Sequence, residues 1–316
     1  KNILMDTIPK PNNSLRVIKR VLIIVLLLIA VVNPVLSQYF GRNKPGYRRF
    51  DFKVYESPHF RIYHYFENDS IINAVANTFE KWYIRQLPLF KDTFKQPTPI
   101  IVYQNHPEFQ QTTVIDGMIG VGTQAFAEAL KNRVVMPILA TNAQTNHVIG
   151  HELAHVFHFR ALVNDTLPMS SLRNIPLWLV EGMAEYMSIG SVDAHTSMLM
   201  RDALLKDDFP TLEDMTRDYS YNPYRFGHSF MAFVGRTWGD SLMAPLFLET
   251  ARFGYERAFE RVIGLSAPIV SDLWKSANLA HFQQYLDDSA RQKVTGDRLI
   301  HAGNAGELNI APSLSP

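Results

Sequence analysis

Two histidines four residues apart, with a glutamate directly after the first, constrain this chain more than any other feature. The stretch HVIGHELAH spans residues 147–155 and holds His151, Glu152 and His155. On a helix that spacing stacks both imidazoles on one face, one turn apart. Two imidazoles so placed can share one metal ion, and zinc is the usual occupant. Glu152 need not bind the metal; it can reach an attacking water from the side and act as its general base. The plain alternative is an amphipathic core helix carrying two surface histidines.

A second stretch, PLWLVEGMAEY at 176–186, supplies what the first lacks. Pro176 suits a first helical turn. Leu177, Val180, Ala184 and Met187 recur at helical spacing as an apolar stripe. Glu181 and Glu185 lie beside it, again four apart. A buried carboxylate is costly unless it binds a metal or is paired. Glu181 can complete a His2Glu zinc set with an open position. Glu185, one turn on, can accept from the far nitrogen of a ligand histidine and fix its tautomer. Gly182 and Ala184, with Gly150 and Ala154, are small enough to let the two helices lie close. The alternative is a solvated acidic face, where two glutamates at this spacing repel mildly. His147 and His158 are the fallback ligands.

HELAH followed by WLVEGMAEY resembles the gluzincin metallopeptidases, most closely the peptidase MA-like domains. In that pattern the third ligand is the first Glu of an ExxxE or ExxxD pair, which is Glu181 here. Rival zinc patterns fit poorly. The metzincin extension needs Gly at 158 and His at 161, where this chain has His158 and Ala161. The inverted HxxEH motif is absent. The resemblance implies an α+β, thermolysin-like zincin: a β-rich N-terminal half, the HExxH helix, then a mainly helical C-terminal half. It further implies that a Tyr or His from the helical half stabilises the oxyanion. Asn222-Pro223-Tyr224 reads as an N-cap and first helical turn. Tyr224 and His228 share that helix face, so either is a candidate, and simple packing of Tyr224 is an equal alternative.

Charge and cysteine content exclude other classes. Formal net charge is +1 and the basic excess sits near the N-terminus, so the body offers no electrostatic footprint for nucleic acid. There is no cysteine, which removes disulfides, thiolate zinc sites and Cys nucleophiles. Arg16, Lys19 and Arg20 precede an apolar run from Val21 to Val32, broken by Asn33-Pro34. That run is short for a bilayer span. Residues 1–37 read as a secretory signal peptide cleaved before Gln38, with an uncleaved anchor as the alternative. The expected setting is the periplasm, the outer envelope or the exterior, with membrane contact only through this segment.

The peptidase domain is expected over 38–289. Residues 38–52 read as an extended arm. Strands are expected around 53–66, 99–103 and 132–137, with an edge strand or tight turn at 114–121. His59 and His64 read as strand surface positions. A helix over 70–86 should end before Pro88. Further helices are expected near 143–161, 176–189, 194–205, 224–238, 241–252, 255–263 and 268–289, with a polar loop from Thr211 to Asn222. Residues 290–316 read as a linker and the start of a propeller repeat. Asn309, Pro312, Ser315 and Pro316 match the N-x-x-P-x-x-S-P opening that resembles TolB-like, WD40-like propellers. The chain is therefore expected to be the front of a longer one, with envelope protein partners reached through the propeller. The function expected is zinc-dependent hydrolysis of a peptide or protein substrate, with zinc on His151, His155 and Glu181. The competing class is an exported binding or scaffold module with a structural or vestigial zinc site.

Overall fold

All five strands lie before position 140, and every element described after it is helical. The computed structural model describes residues 47–291 apart from 116 and 118, together with residue 22. In chain order its elements are β1 (Lys53–Glu56), β2 (Phe60–His64), α1 (Asp69–Phe90), β3 (Thr98–Tyr103), α2 (His106–Phe109), β4 (Phe126–Glu128) and β5 (Arg133–Pro137). There follow α3 (Asn142–Asn164), α4 (Leu177–Ile189), α5 (Ala194–Leu205), α6 (Leu212–Arg217), α7 (Pro223–Trp238), α8 (Met243–Phe253), α9 (Tyr255–Val262) and α10 (Ala267–Arg291). The result is a mixed α+β fold, mainly helical, with one small sheet. The expected leader over 1–37 (residue 22 aside), most of the arm, and the linker and terminal motif beyond residue 291 lie outside the described residues. Among the described residues no helix is long and apolar enough to cross a membrane.

The sheet runs β1-β2-β3-β5-β4. Its three inner strands are parallel and each outer strand is antiparallel to its neighbour. One face carries Phe60, Ile62, Ile100, Val102, Val134 and Met136 under α1 and α3. The other carries Tyr65, Tyr103 and Val135 under Phe50, Phe109 and Ile119. With both faces covered, the central strands read as apolar runs rather than strict alternation. A second core fills the helical half around Trp178, Phe230, Phe247 and Trp274. Helix α3 belongs to both: Ile149, Leu153 and Phe157 enter the sheet core, and Ala154 and Leu162 the helical one.

Several expectations change. Helix α1 does not stop before Pro88 but runs through it to Phe90. Ile84 and Pro88 both lie on the exposed face, where water satisfies the carbonyl the proline cannot serve. Leu89 and Phe90 pack inward and hold the last turn. Of the two readings of 114–121, edge strand or tight turn, no strand forms there among the described residues; the sheet edge is instead the three-residue β4, on which the sequence places no expectation. The loop 211–222 contains α6, started by a capping box between Thr211 and Asp214 with Leu212 and Met215 buried. His64 is a core residue, not a surface one, 4% exposed, and its Nδ1 accepts the Phe66 N–H. Burial lowers its pKa, so it sits there neutral.

His59 is half-buried and clamped to α1. Glu80 accepts from Ser57 Oγ at 2.6 Å and from the His59 N–H at 3.0 Å, and pairs with His59 Nδ1 at 2.7 Å. Burial works against the Glu80 carboxylate, but these donors outweigh it and hold its pKa below the usual value. A depressed acid contributes stability above its unfolded pKa and loses it as pH falls through the folded one. Glu80→Gln is therefore expected to cost about 1–3 kcal/mol at pH 7. The gap in Tm between variant and wild type should narrow towards pH 3; thermal melts at both pH values check it.

The small residues act differently from the sequence reading. Gly182 does not face α3. A Cβ there would overlap the backbone of Gly227 in α7, and one at Gly227 would overlap the Trp178 carbonyl. Gly150 instead lies under the Trp82 indole of α1. Only Ala154 and Ala184 share a core as expected. Close packing of α4 on α7 matters for the site, because both helices carry its groups.

Candidate metal centre

Helix α3 is started by a capping box, in which Thr141 accepts from Gln144 N–H and Gln144 returns the bond. That start sets the helical phase, and His151 and His155 emerge one turn apart at the cleft, each 8% exposed. Helix α4 starts abruptly after extended Pro176 and brings Glu181 against them. Glu181 Oε2 lies 3.2 Å from His151 Nε2 and 3.3 Å from His155 Nε2, and the two imidazole nitrogens are 3.1 Å apart. Four-coordinate zinc holds nitrogen and oxygen donors at about 2.0–2.1 Å, so donors of one such set lie about 3.3–3.4 Å from each other. The three atoms fit that set.

The charges fit as well. Burial lowers the proton affinity of His151, but Glu181 and Glu185 outweigh it and push its pKa up to about 10. Burial pulls Glu181 upward, and the two histidines reverse that and hold it well below the carboxylate range. Without metal the cluster thus keeps a positive charge among carboxylates, where a dication would sit.

Glu185 stands behind the first histidine. Its Oε1 is 3.0 Å from His151 Nδ1 and 3.4 Å from His147 Nε2. Its Oε2 is 2.9 Å from Arg225, which also approaches Asp193 at 3.4 Å. Burial opposes the ionised form of Glu185, but His147, His151 and Arg225 hold its pKa well below normal. His147, His151 and Glu185 form a second group whose donor atoms converge. That group uses the other nitrogen of His151, and neither His147 nor Glu185 lines the cleft. The group therefore lies behind the His151 ring and is not a second site in the cleft.

Glu152 faces the same cleft, 6% exposed, with Oε2 lacking any hydrogen-bond partner. Burial pushes its carboxyl upward; His151, His155 and the Ala127 N–H pull the other way. It is thus a carboxyl group beside the cluster but outside it. The cleft, about 1050 Å³, runs between β4 and the helical half, past Phe159, Ile175, Val180 and Tyr219. Tyr224 lines it and stacks on His151 at 6.0 Å and 25°. Its N-cap forms as expected, with Asn222 Oδ1 accepting from Tyr224 and Arg225 N–H groups. Burial and the nearby carboxylates raise the Tyr224 pKa to about 12, so the hydroxyl stays a donor at neutral pH.

His228 does not reach this cleft. It is 1% exposed, with its ring nitrogens on Thr196 Oγ1 at 3.0 Å and the Gly190 carbonyl at 2.7 Å. Sharing a face with Tyr224 fixes an angle around α7, but one turn along the axis carries His228 under the end of α4. Of the two oxyanion candidates only Tyr224 is positioned at the cluster. The fallback His158 is wholly buried, stacked on Phe247 at 4.4 Å, with burial holding its pKa well below normal.

Sequence reasoning missed Arg225, the orienting place of His147, and Ala127. His147 carried a signal, since it precedes His151 by one helical turn. Arg225 carried none beyond adjacency to Tyr224. A family model described as the Peptidase MA superfamily matches residues 87–280, more than half of the chain. No curated protein matches, and no solved structure does.

Proposed function

We propose, since the chain belongs to the peptidase MA superfamily, that it is a zinc-dependent metallopeptidase of thermolysin-like, gluzincin type. The observation that carries this reading is the convergence of His151 Nε2, His155 Nε2 and Glu181 Oε2 beside a buried, partly unpartnered Glu152. Those three side chains would hold the ion. When bound, zinc supplies Lewis acidity to the scissile carbonyl and acidifies an attacking water. Glu152 takes the water's proton and returns it to the leaving nitrogen. Glu185 holds the His151 ring so that Nε2 faces the cleft. The Tyr224 hydroxyl donates to the developing oxyanion.

A peptide suits the cleft because β4 is an edge strand whose outer side faces it. An extended chain can add to that edge through backbone hydrogen bonds. A structural zinc site has no use for a buried base with a free oxygen, which weighs against the scaffold alternative. The same reading sets the chain in the periplasm, outer envelope or exterior, behind the leader of residues 1–37. It gives envelope partners to a TolB-like propeller begun at 308–316.

The test joins metal content to cleavage. The chain is expected to carry one zinc and to cut members of a blocked peptide library, with cutting lost under chelator and regained on adding zinc. A zinc-loaded chain that cuts nothing would overturn the reading.

A further inference from the structure

A second cavity, about 350 Å³, opens beyond one end of the cleft and has no part in the chemistry described. It is lined by Leu130, Phe159, Val163 and Met169 among others, and Phe159 also lines the cleft. The Phe159 side chain is thus common to the walls of both.

Two exposed aliphatic side chains mark it. Leu130 is 86% exposed at the tip of the β4–β5 hairpin, and Val163 is 60% exposed near the end of α3. Hairpin tips ordinarily take Gly, Asn, Asp or Ser, and the turn here already has Asn132 in the left-handed region, at φ 47°. Leucine at the tip adds nothing to the hairpin. The nearby charges are spent elsewhere: Arg160 pairs with Asp92, and Glu128 with Arg133 and Lys131. The cavity's apolar wall is Leu130, Phe159, Val163 and Met169, while Asn132, Arg160 and Asn164 supply its polar part.

Helix α3 gives the distance from the metal cluster. His155, Phe159 and Val163 are spaced by four and so form one stripe along the helix. At about 1.5 Å per residue, Val163 lies about 12 Å along the axis from His155. The sheet edge leads the same way, through the turn that follows β4. Ala127, whose N–H faces Glu152, is followed three residues later by Leu130. An extended chain covers about 3.3 Å per residue, so the span along α3 corresponds to roughly three to four residues of a bound peptide. Strand β4 runs away from the cluster toward Leu130. A peptide added antiparallel, the slightly more stable pairing, runs toward the cluster, and its N-terminal part lies over the cavity.

We propose that this cavity is a specificity subsite taking a large apolar side chain of the substrate, about three residues N-terminal to the scissile bond. The inference rests on the peptidase reading above. Its test uses two measurements on the zinc-loaded full chain and on Leu130→Asp and Val163→Asp. Both side chains are exposed, and neither touches the cluster or the cores. The first measurement is kcat/KM for blocked decapeptides differing only at that one position (Leu, Phe, Gly, Asp or Lys). The second is binding of the Leu and Lys members, read by fluorescence anisotropy without reference to cleavage.

Wild type is expected to favour Leu and Phe over Gly and Lys by about tenfold or more. Either variant should abolish that preference while cutting the Gly peptide at the wild-type rate. If wild type cuts but shows no apolar preference there, or the variants keep it, the subsite is wrong and the peptidase reading stands. A preference displaced to the C-terminal side would also overturn the proposal. If wild type cuts nothing yet binds the Leu peptide in a manner lost in Leu130→Asp, the peptidase reading falls and the apolar site remains. Absence of both overturns both.

Discussion

Glu152→Gln is expected to keep one zinc per chain and to lose about 10²–10⁴ in turnover, the range typical of a general base. The amide has the size and hydrogen-bonding shape of the carboxyl but cannot take a proton from water. Zinc content should not fall, because Glu152 stands beside the three converging donors and is not one of them. Its burial raises its proton affinity, which suits a group that must accept and then release a proton. The informative control is Glu185→Gln. That change removes the charge behind His151 and should weaken zinc binding on the order of 10–100-fold. Excess zinc should then restore Glu185→Gln and leave Glu152→Gln inactive. Metal titration and single-turnover rates separate the two. Wild-type cleavage by Glu152→Gln would remove the base from the mechanism, and a scaffold protein would show no change in either variant.

Gly227→Ala is expected to lower stability by about 3 kcal/mol or more, at the upper end for overpacking a core. The added methyl would meet the Trp178 carbonyl, a backbone atom that no rotamer change can move. The α4–α7 pair must separate, and in a domain of this size that corresponds to a drop in Tm on the order of 10 °C. Zinc affinity should fall with it, since α4 brings Glu181 and Glu185 and α7 brings Tyr224 and Arg225. Gly120→Ala is the control, with no atom near its built Cβ and ordinary backbone angles. Equal melting temperatures for the two variants would show that the helices have slack at their crossing.

Much of the fold was legible because its helices are long and periodic. The expected range 194–205 coincides with α5, and 224–238 and 255–263 miss α7 and α9 by one residue at one end. The cluster was legible because its donors lie at i, i+4 spacing on two helices. What escaped was non-local or short. Strand β4 is three residues whose identity depends on pairing with β5, and nothing in Phe126–Glu128 alone announces it. Helix α6 had its signal in Thr211 and Asp214, a capping box hidden in a polar stretch. Gly182 was assigned the wrong neighbour because small residues state that something comes close, not what. His228 was misplaced because helical spacing gives rotation about an axis but not the point where a cleft meets it.

The double membership of α3 bears on the order in which the molecule assembles. The sheet core draws together residues from Phe60 to Phe157, and everything it needs has been made once α3 is complete. The helical core takes Leu89 and Phe90 from α1 and Ala154 and Leu162 from α3, and draws its other members from what comes after. A chain emerging N-terminus first therefore has the parts of the wall that carries both histidines before the helix that carries Glu181. The third donor arrives with the next helix, and Arg225 and Tyr224 later still. Chain order thus puts the two imidazoles on the earlier core and the remaining groups of the cluster on the later one.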